Sequence, residues 1–222
     1  MTIHLLRDFK ELSKELSSLG ALVETTINKS IVSITSRRPE LAEEVIQEAY
    51  LINEMEIGIE EECLKILALH QPVAKDLRYV VAILKVNNDL ERMGDLAENI
   101  AERSIFLAKH RPVNLPLDKI GNMADQVRNM VRMSLDALIE KDTVTAEKII
   151  AMDDVVDQFN RDMYEFIQDS IKDDVGSVES CIQWLSTSRY LERIADLTTN
   201  IAEDVIFMVE GRVVRHMERE NI

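Results

Sequence analysis

Two thirteen-residue segments of this 222-residue chain place acids at repeating positions. Leu90-Glu91-Arg92-Met93-Gly94-Asp95-Leu96-Ala97-Glu98-Asn99-Ile100-Ala101-Glu102 recurs as Leu191-Glu192-Arg193-Ile194-Ala195-Asp196-Leu197-Thr198-Thr199-Asn200-Ile201-Ala202-Glu203. Nine of the thirteen positions are identical at a constant offset of 101, where unrelated segments would share roughly one. The polar identities are Glu91/Glu192, Asp95/Asp196, Asn99/Asn200 and Glu102/Glu203. Spacings of four, four and three set them along one flank of a helix, beside its apolar stripe.

Like charges at i and i+4 repel by a few tenths of a kcal/mol in water and by more near a low-dielectric core. Two compensators suit this pattern. One is the arginine after the first acid of each copy, Arg92 and Arg193; on a helix it projects about 100° away. The other is a metal ion. Oxygen donors without histidine suit hard or borderline cations, namely magnesium, manganese or iron, with zinc admitted. Asp153 and Asp157 form a further i,i+4 pair. Packed beside the second motif they would aim four carboxylates at one point, as carboxylate sites in helical bundles do. The candidate metal ligands are therefore Glu91, Asp95, Asn99, Asp153, Asp157, Glu192, Asp196 and Asn200. The plain competitor is a solvated acidic face, kept by duplication, that binds nothing.

The elements carrying these residues are helices. Phe9, Leu12, Leu16, Leu19, Val23 and Ile27 recur every three or four residues, the period of one helical face. Pro39, followed by Glu40, Glu43 and Glu44, starts a second helix, because proline fits the first turn and acids favour the positive dipole end. Gln71-Pro72 marks a third start by the same rule, and that helix should run to about His110, stopped by Arg111-Pro112. Asn114-Leu115-Pro116 completes the one evident linker. The second half repeats the plan. Ile120, Met123, Val127, Met130, Ser134 and Leu138 form one stripe; Ile149, Met152, Val156, Phe159, Met163 and Phe166 form another, beginning near Asp142-Thr143. A break at Gly176-Ser177 precedes a last helix reaching about Arg215. The expected fold is all-α, two tandem pseudo-symmetric three-helix bundles, divided as residues 1–112 and 113–222.

A net charge of −15, with no Lys/Arg-rich stretch, speaks against nucleic acid or anionic lipid as a partner and for cationic protein surfaces or metal ions. Tyr79–Leu84 and Val205–Val209 are the most apolar segments and are too short to span a bilayer. With no apolar leader at the start, a cytoplasmic protein is expected. Cys63 and Cys181 are isolated and read as reduced core thiols. The ten methionines and Trp184 read as core packing. His4, His70, His110 and His216 stand near helix ends and are assigned no metal. Nothing resembles a nucleophile elbow, a phosphate-cradling glycine loop or a catalytic triad, so no catalytic or cofactor-binding residue is assigned. The enzymatic alternative, a carboxylate-bridged dimetal bundle, lacks the Glu-x-x-His that usually completes it.

Glu91-Arg92-Met93-Gly94-Asp95 and Glu192-Arg193-Ile194-Ala195-Asp196 resemble the paired acid signatures of the PhoU family. Ala68-Leu69-His70-Gln71-Pro72-Val73-Ala74-Lys75-Asp76-Leu77-Arg78 is similar to that family's junction between helices 2 and 3. The resemblance covers nearly the whole chain. It implies a cytoplasmic, non-enzymatic regulator that damps high-affinity phosphate import and keeps the phosphate-starvation two-component response off. The implied partners are the phosphate ABC transporter ATPase and the phosphate-sensing histidine kinase; a homodimer is compatible with it. It also implies metal clusters at the acid motifs. Carried over by position, Asp153, Asp157, Glu192 and Asp196 make a full second set and Glu91 with Asp95 a partial first one. Aligned through Val45-Ile46 and Ile149-Ile150, the first repeat has Ala49 and Asn53 in place of the two aspartates. Glu48 and Glu56 are the available substitutes. Tighter metal binding by the second repeat is the resulting expectation.

Overall fold

A computed structural model describes residues 3–113, 115 and 117–214. Among them are six long helices: α1 Ile3–Thr35, α2 Pro39–His70, α3 Ala74–Ala108, α4 Leu117–Glu140, α5 Thr143–Asp173 and α6 Val178–Glu210, with a 3-10 turn at Val175–Ser177 before the last. Residues 114 and 116 of the expected linker, and Arg215 and His216, lie outside the described residues.

Local chemistry sets most of the ends. Pro39 opens α2 with Glu40 in its first turn. Asp142 caps α5: its carboxylate accepts N–H bonds from Val144 at 3.0 Å and Thr145 at 3.2 Å. Such a cap contributes about 1 kcal/mol. Two boundaries differ from expectation: α6 stops at Glu210, short of Arg215, because Gly211 turns left-handed and its N–H bonds Phe207 O at 2.9 Å, and the start of α3 is displaced. Pro72 does not open α3, which begins two residues later at Ala74. Gln71 takes the left-handed conformation and closes α2 instead, its N–H bonded to Leu67 O at 3.2 Å. Proline there serves the stop of one helix rather than the first turn of the next.

Helices α1, α2 and α3 pack on one another, as do α4, α5 and α6; α3 against α6 and α1 against α4 join the two bundles. The predicted stripes form the core: Leu12, Leu19, Val23, Ile27, Val127, Met130 and Val156 are each at most 1% exposed. Met123 and Met163 are buried, Met152 lies at the margin, and Trp184 is in the core. Cys63 and Cys181 are buried free thiols. No described helix is long and apolar enough to cross a membrane.

The seam fixes how the two acid motifs face each other. Lys85 of α3 pairs with the buried Asp204 of α6 at 3.0 Å, while Arg103, further along α3, bonds Gln183 near the start of α6 at 3.4 Å. The two helices therefore run antiparallel, and their motifs meet near the middle. On the other side of the seam Gly20 of α1 lies against Leu135 of α4: a Cβ there would stand 2.7 Å from Leu135 Cδ2, so the leucine end would have to turn aside.

Candidate metal centre

Each acid motif sits at the middle of a central helix, with most of its apolar positions buried. Leu90, Ala97, Ile100 and Ala101 on α3, and Leu191, Ile201 and Ala202 on α6, are at most 1% exposed. That burial holds the acids at the core margin, with Glu91 and Glu192 half-buried and Asp95 and Asp196 exposed.

In the second bundle α5 packs beside α6 and brings the expected four carboxylates into one electrostatic neighbourhood. Burial lifts Glu192 above the ordinary glutamate range; Asp157 adds to the lift, Arg189 and Arg193 oppose it, and Asp153 adds again. Asp196 is pushed up to about 6 by loss of water, then by Glu192 and Asp157, with Arg193 opposing. The predicted arginine compensator is thus present. It is incomplete, because both carboxyls remain raised. Arg161 pairs with Asp157 at 3.6 Å on the outer side. Arg189, which the motif reading passed over, lies three residues before Glu192, one turn away on the same flank.

The first bundle assembles a thinner set. Burial raises Glu91, followed by Asp95 and Glu56, with Arg92 opposing. Glu56 is therefore the substitute that reaches this site. Glu48 is committed elsewhere, accepting from Lys29 Nζ at 2.6 Å and Thr26 Oγ1 at 2.9 Å. Ala49 is buried in place of Asp153. Asn53 replaces Asp157 and keeps a buried side-chain oxygen with no hydrogen-bond partner among the described residues.

One juxtaposition was not anticipated. Asp95 and Asn99 from α3, and Asp196 and Asn200 from α6, line a single groove of about 660 Å³ between the two bundles together with Arg92 and Arg193. The Asn99 amide donates to Asp95 O at 2.8 Å, within α3. The repeat supplies matching motifs on two helices; only the antiparallel contact of α3 with α6 brings them into one groove.

The donor set fits a hard or borderline cation. It is all oxygen, and in the second bundle Asp157 and Asp153 add to the lift on Glu192, and Glu192 and Asp157 to the lift on Asp196, with the arginines offsetting only part of it. A bound cation would remove that repulsion. As the side chains stand, no three Asp, Glu, His or Cys groups among the described residues converge closely enough to hold a metal ion. Of the four second-bundle carboxylates Asp196 is exposed, whereas Asp153, Asp157 and Glu192 are half-buried.

Residues 16–104 and 120–205 each match the PhoU domain. The chain is 37% identical over 212 residues to the phosphate-specific transport system accessory protein PhoU homolog of Aquifex aeolicus, covering 96% of each chain. It is 35% identical to the homolog of Pseudomonas putida over 98% of this chain and 86% of that one. The crystal structure of PhoU from Pseudomonas aeruginosa superposes with a TM-score of 0.91 at 32% identity, covering 93% of this chain and 99% of the other. Two matched domains in tandem, relatives matched over 86–96% of their own length and a superposing solved structure have one meaning: the chain belongs to the PhoU family.

Proposed function

We propose that this protein is a cytoplasmic accessory regulator of phosphate-specific transport. It restrains high-affinity uptake and the phosphate-starvation response by contact with the transporter ATPase and the sensor kinase. In this reading a divalent or trivalent cation at Asp153, Asp157, Glu192 and Asp196 ties α5 to α6 and neutralises their mutual repulsion. The ion's contribution is structural or regulatory, and the chain's own residues perform no reaction.

The observation that carries the reading is the length of the likeness. Relatives named as accessory proteins of phosphate-specific transport match this chain over 96% of it or more at 35–37% identity. An acidic chain of −15 also suits docking on basic protein surfaces better than on nucleic acid or anionic lipid. The test is tag-free purification from the native cell, with mass spectrometry of bound proteins and metals in one sample. Recovery of the transporter ATPase or the sensor kinase supports the reading. Recovery of neither, from a preparation in which the transporter is present, overturns it.

A further inference from the structure

Helix α2 carries apolar residues on a face that no described element covers. It packs against α1 and α3, burying Ala42, Val45, Ala49, Ile52, Ile59, Cys63 and Ile66. On the opposite side Tyr50, Ile57 and Leu64 stand 69%, 54% and 53% exposed. Their spacing of seven aligns them in one stripe, one apolar position per heptad.

The second bundle supplies an internal control. Its buried positions match those of α2 at an offset of 104: Ala146 for Ala42, Ile149 for Val45, Val156 for Ile52, Met163 for Ile59 and Ile167 for Cys63. At that offset Tyr50, Ile57 and Leu64 correspond to Asp154, Arg161 and Gln168, all exposed. The same fold therefore accepts polar residues at all three places, so folding does not call for the apolar stripe. Exposed Leu51 has an equally exposed apolar counterpart in Val155, so it does not distinguish the copies.

Charge narrows the occupant. Helix α2 holds nine glutamates and one lysine, with exposed Glu43, Glu54 and Glu61 bordering the stripe. A second copy of this helix would bring acid against acid. We propose that the outer face of α2 docks an amphipathic helix of a partner protein, with apolar residues at heptad spacing flanked by lysine or arginine. The proposal rests on the adaptor reading above and assigns its contact to the first bundle.

The test uses the full chain and the variant Tyr50→Asp/Ile57→Arg/Leu64→Gln, which installs the second bundle's own residues and leaves the net charge unchanged. Binding is measured to the purified phosphate transporter complex, to the sensor kinase and to a synthetic helical peptide of leucine and lysine heptads; a leucine–glutamate peptide is the control. Thermal melts check that the variant is folded. The expected result is binding of the chain to the transporter or the kinase, weakened tenfold or more in the variant, as loss of central apolar anchors predicts. Equal binding by both overturns the assignment of the face and leaves the adaptor reading intact. If the chain binds neither protein, the adaptor reading fails; the lysine peptide then decides, and its failure to bind overturns the face as well. A dimer that the variant splits, seen by light scattering, identifies a second copy as the occupant and also overturns the proposal.

Discussion

The two bundles hold the same core and differ on the flanks of one helix. Along α5 the flank toward α6 carries Asp153 and Asp157, whereas α2 has Ala49 and Asn53 at the corresponding places. Along the outer flank the relation is reversed: α2 exposes Tyr50, Ile57 and Leu64, and α5 exposes Asp154, Arg161 and Gln168. Buried positions are interchangeable between copies because they answer to volume alone. Flank positions answer to whatever lies outside the bundle, and there the copies have diverged. The difference assigns the fuller cation set to the second bundle and the apolar surface to the first.

The sharpest break of that comparison is a metal titration. Asp153→Ala/Asp157→Ala removes two of four carboxylates from the second set, and affinity there is expected to fall on the order of a hundredfold or more, since removing even supporting groups costs 10–100-fold. Glu91→Ala/Asp95→Ala is expected to change total bound metal far less. Calorimetry with manganese or iron(II), and metal content after dialysis, measure both. An equal or larger loss from the first-bundle variant would show that Glu56 makes good the aspartates that Ala49 and Asn53 replace.

Much of this was legible in the sequence, for identifiable reasons. Helix periods report burial directly, so the stripe from Leu12 to Ile27 and that from Ile120 to Leu138 are core. The repeat at a constant offset of 101 revealed the tandem plan. Less legible was anything set by long-range approach. Pro72 looked like a first-turn proline, and only the left-handed Gln71 beside it shows that it follows a stop. The separation of Glu48 from Glu56 depended on Lys29, nineteen residues away from Glu48 and on another helix. The meeting of Asp95 with Asp196 in one groove required knowing that α3 and α6 run antiparallel in contact.

A second, smaller effect tests the claim that cores differ only in how they divide volume. Inside the motif, Gly94 lies against Ile52: a Cβ there would meet Ile52 Cδ1 at 3.0 Å and Cγ2 at 3.1 Å. The second bundle has Ala195 and Val156 at these positions, moving one carbon from the outer helix to the central one. Gly94→Ala should destabilise by about 1 kcal/mol, the overpacking cost outweighing alanine's better helix propensity. Combined with Ile52→Val it should become neutral or stabilising, a coupling of about 1–2 kcal/mol between touching residues. Urea denaturation of the four-member cycle measures it. A stabilising Gly94→Ala in the unaltered background would show that Ile52 gives way freely and that the two cores were not matched in this manner.

The smallest effect carries the most information about the acids, because its sign depends on whether a cation is present. Asp196 lies at the exposed edge of the groove, yet lost water and the charges of Glu192 and Asp157 push it up to about 6. A carboxyl raised on folding costs stability above its folded value, and the cost is relieved as pH falls toward the ordinary aspartate range near 4. In chelator, the protein should therefore gain from this group between about pH 6.5 and 4.5. Groups held low, such as Asp8 and Asp142, act in the opposite direction and only at more acid pH. With allowance for solvent screening the gain is on the order of 1 kcal/mol. Asp196→Asn removes the charge without removing the side chain. In chelator it should melt higher than the parent at pH 7 and equally at pH 4. With manganese or iron(II) at pH 7 the order should invert, because the parent then binds the ion to its folded state and the variant has lost a ligand. Melts that keep the variant above the parent with and without metal would leave the acids of the second bundle as a repulsive cluster without an ion to serve.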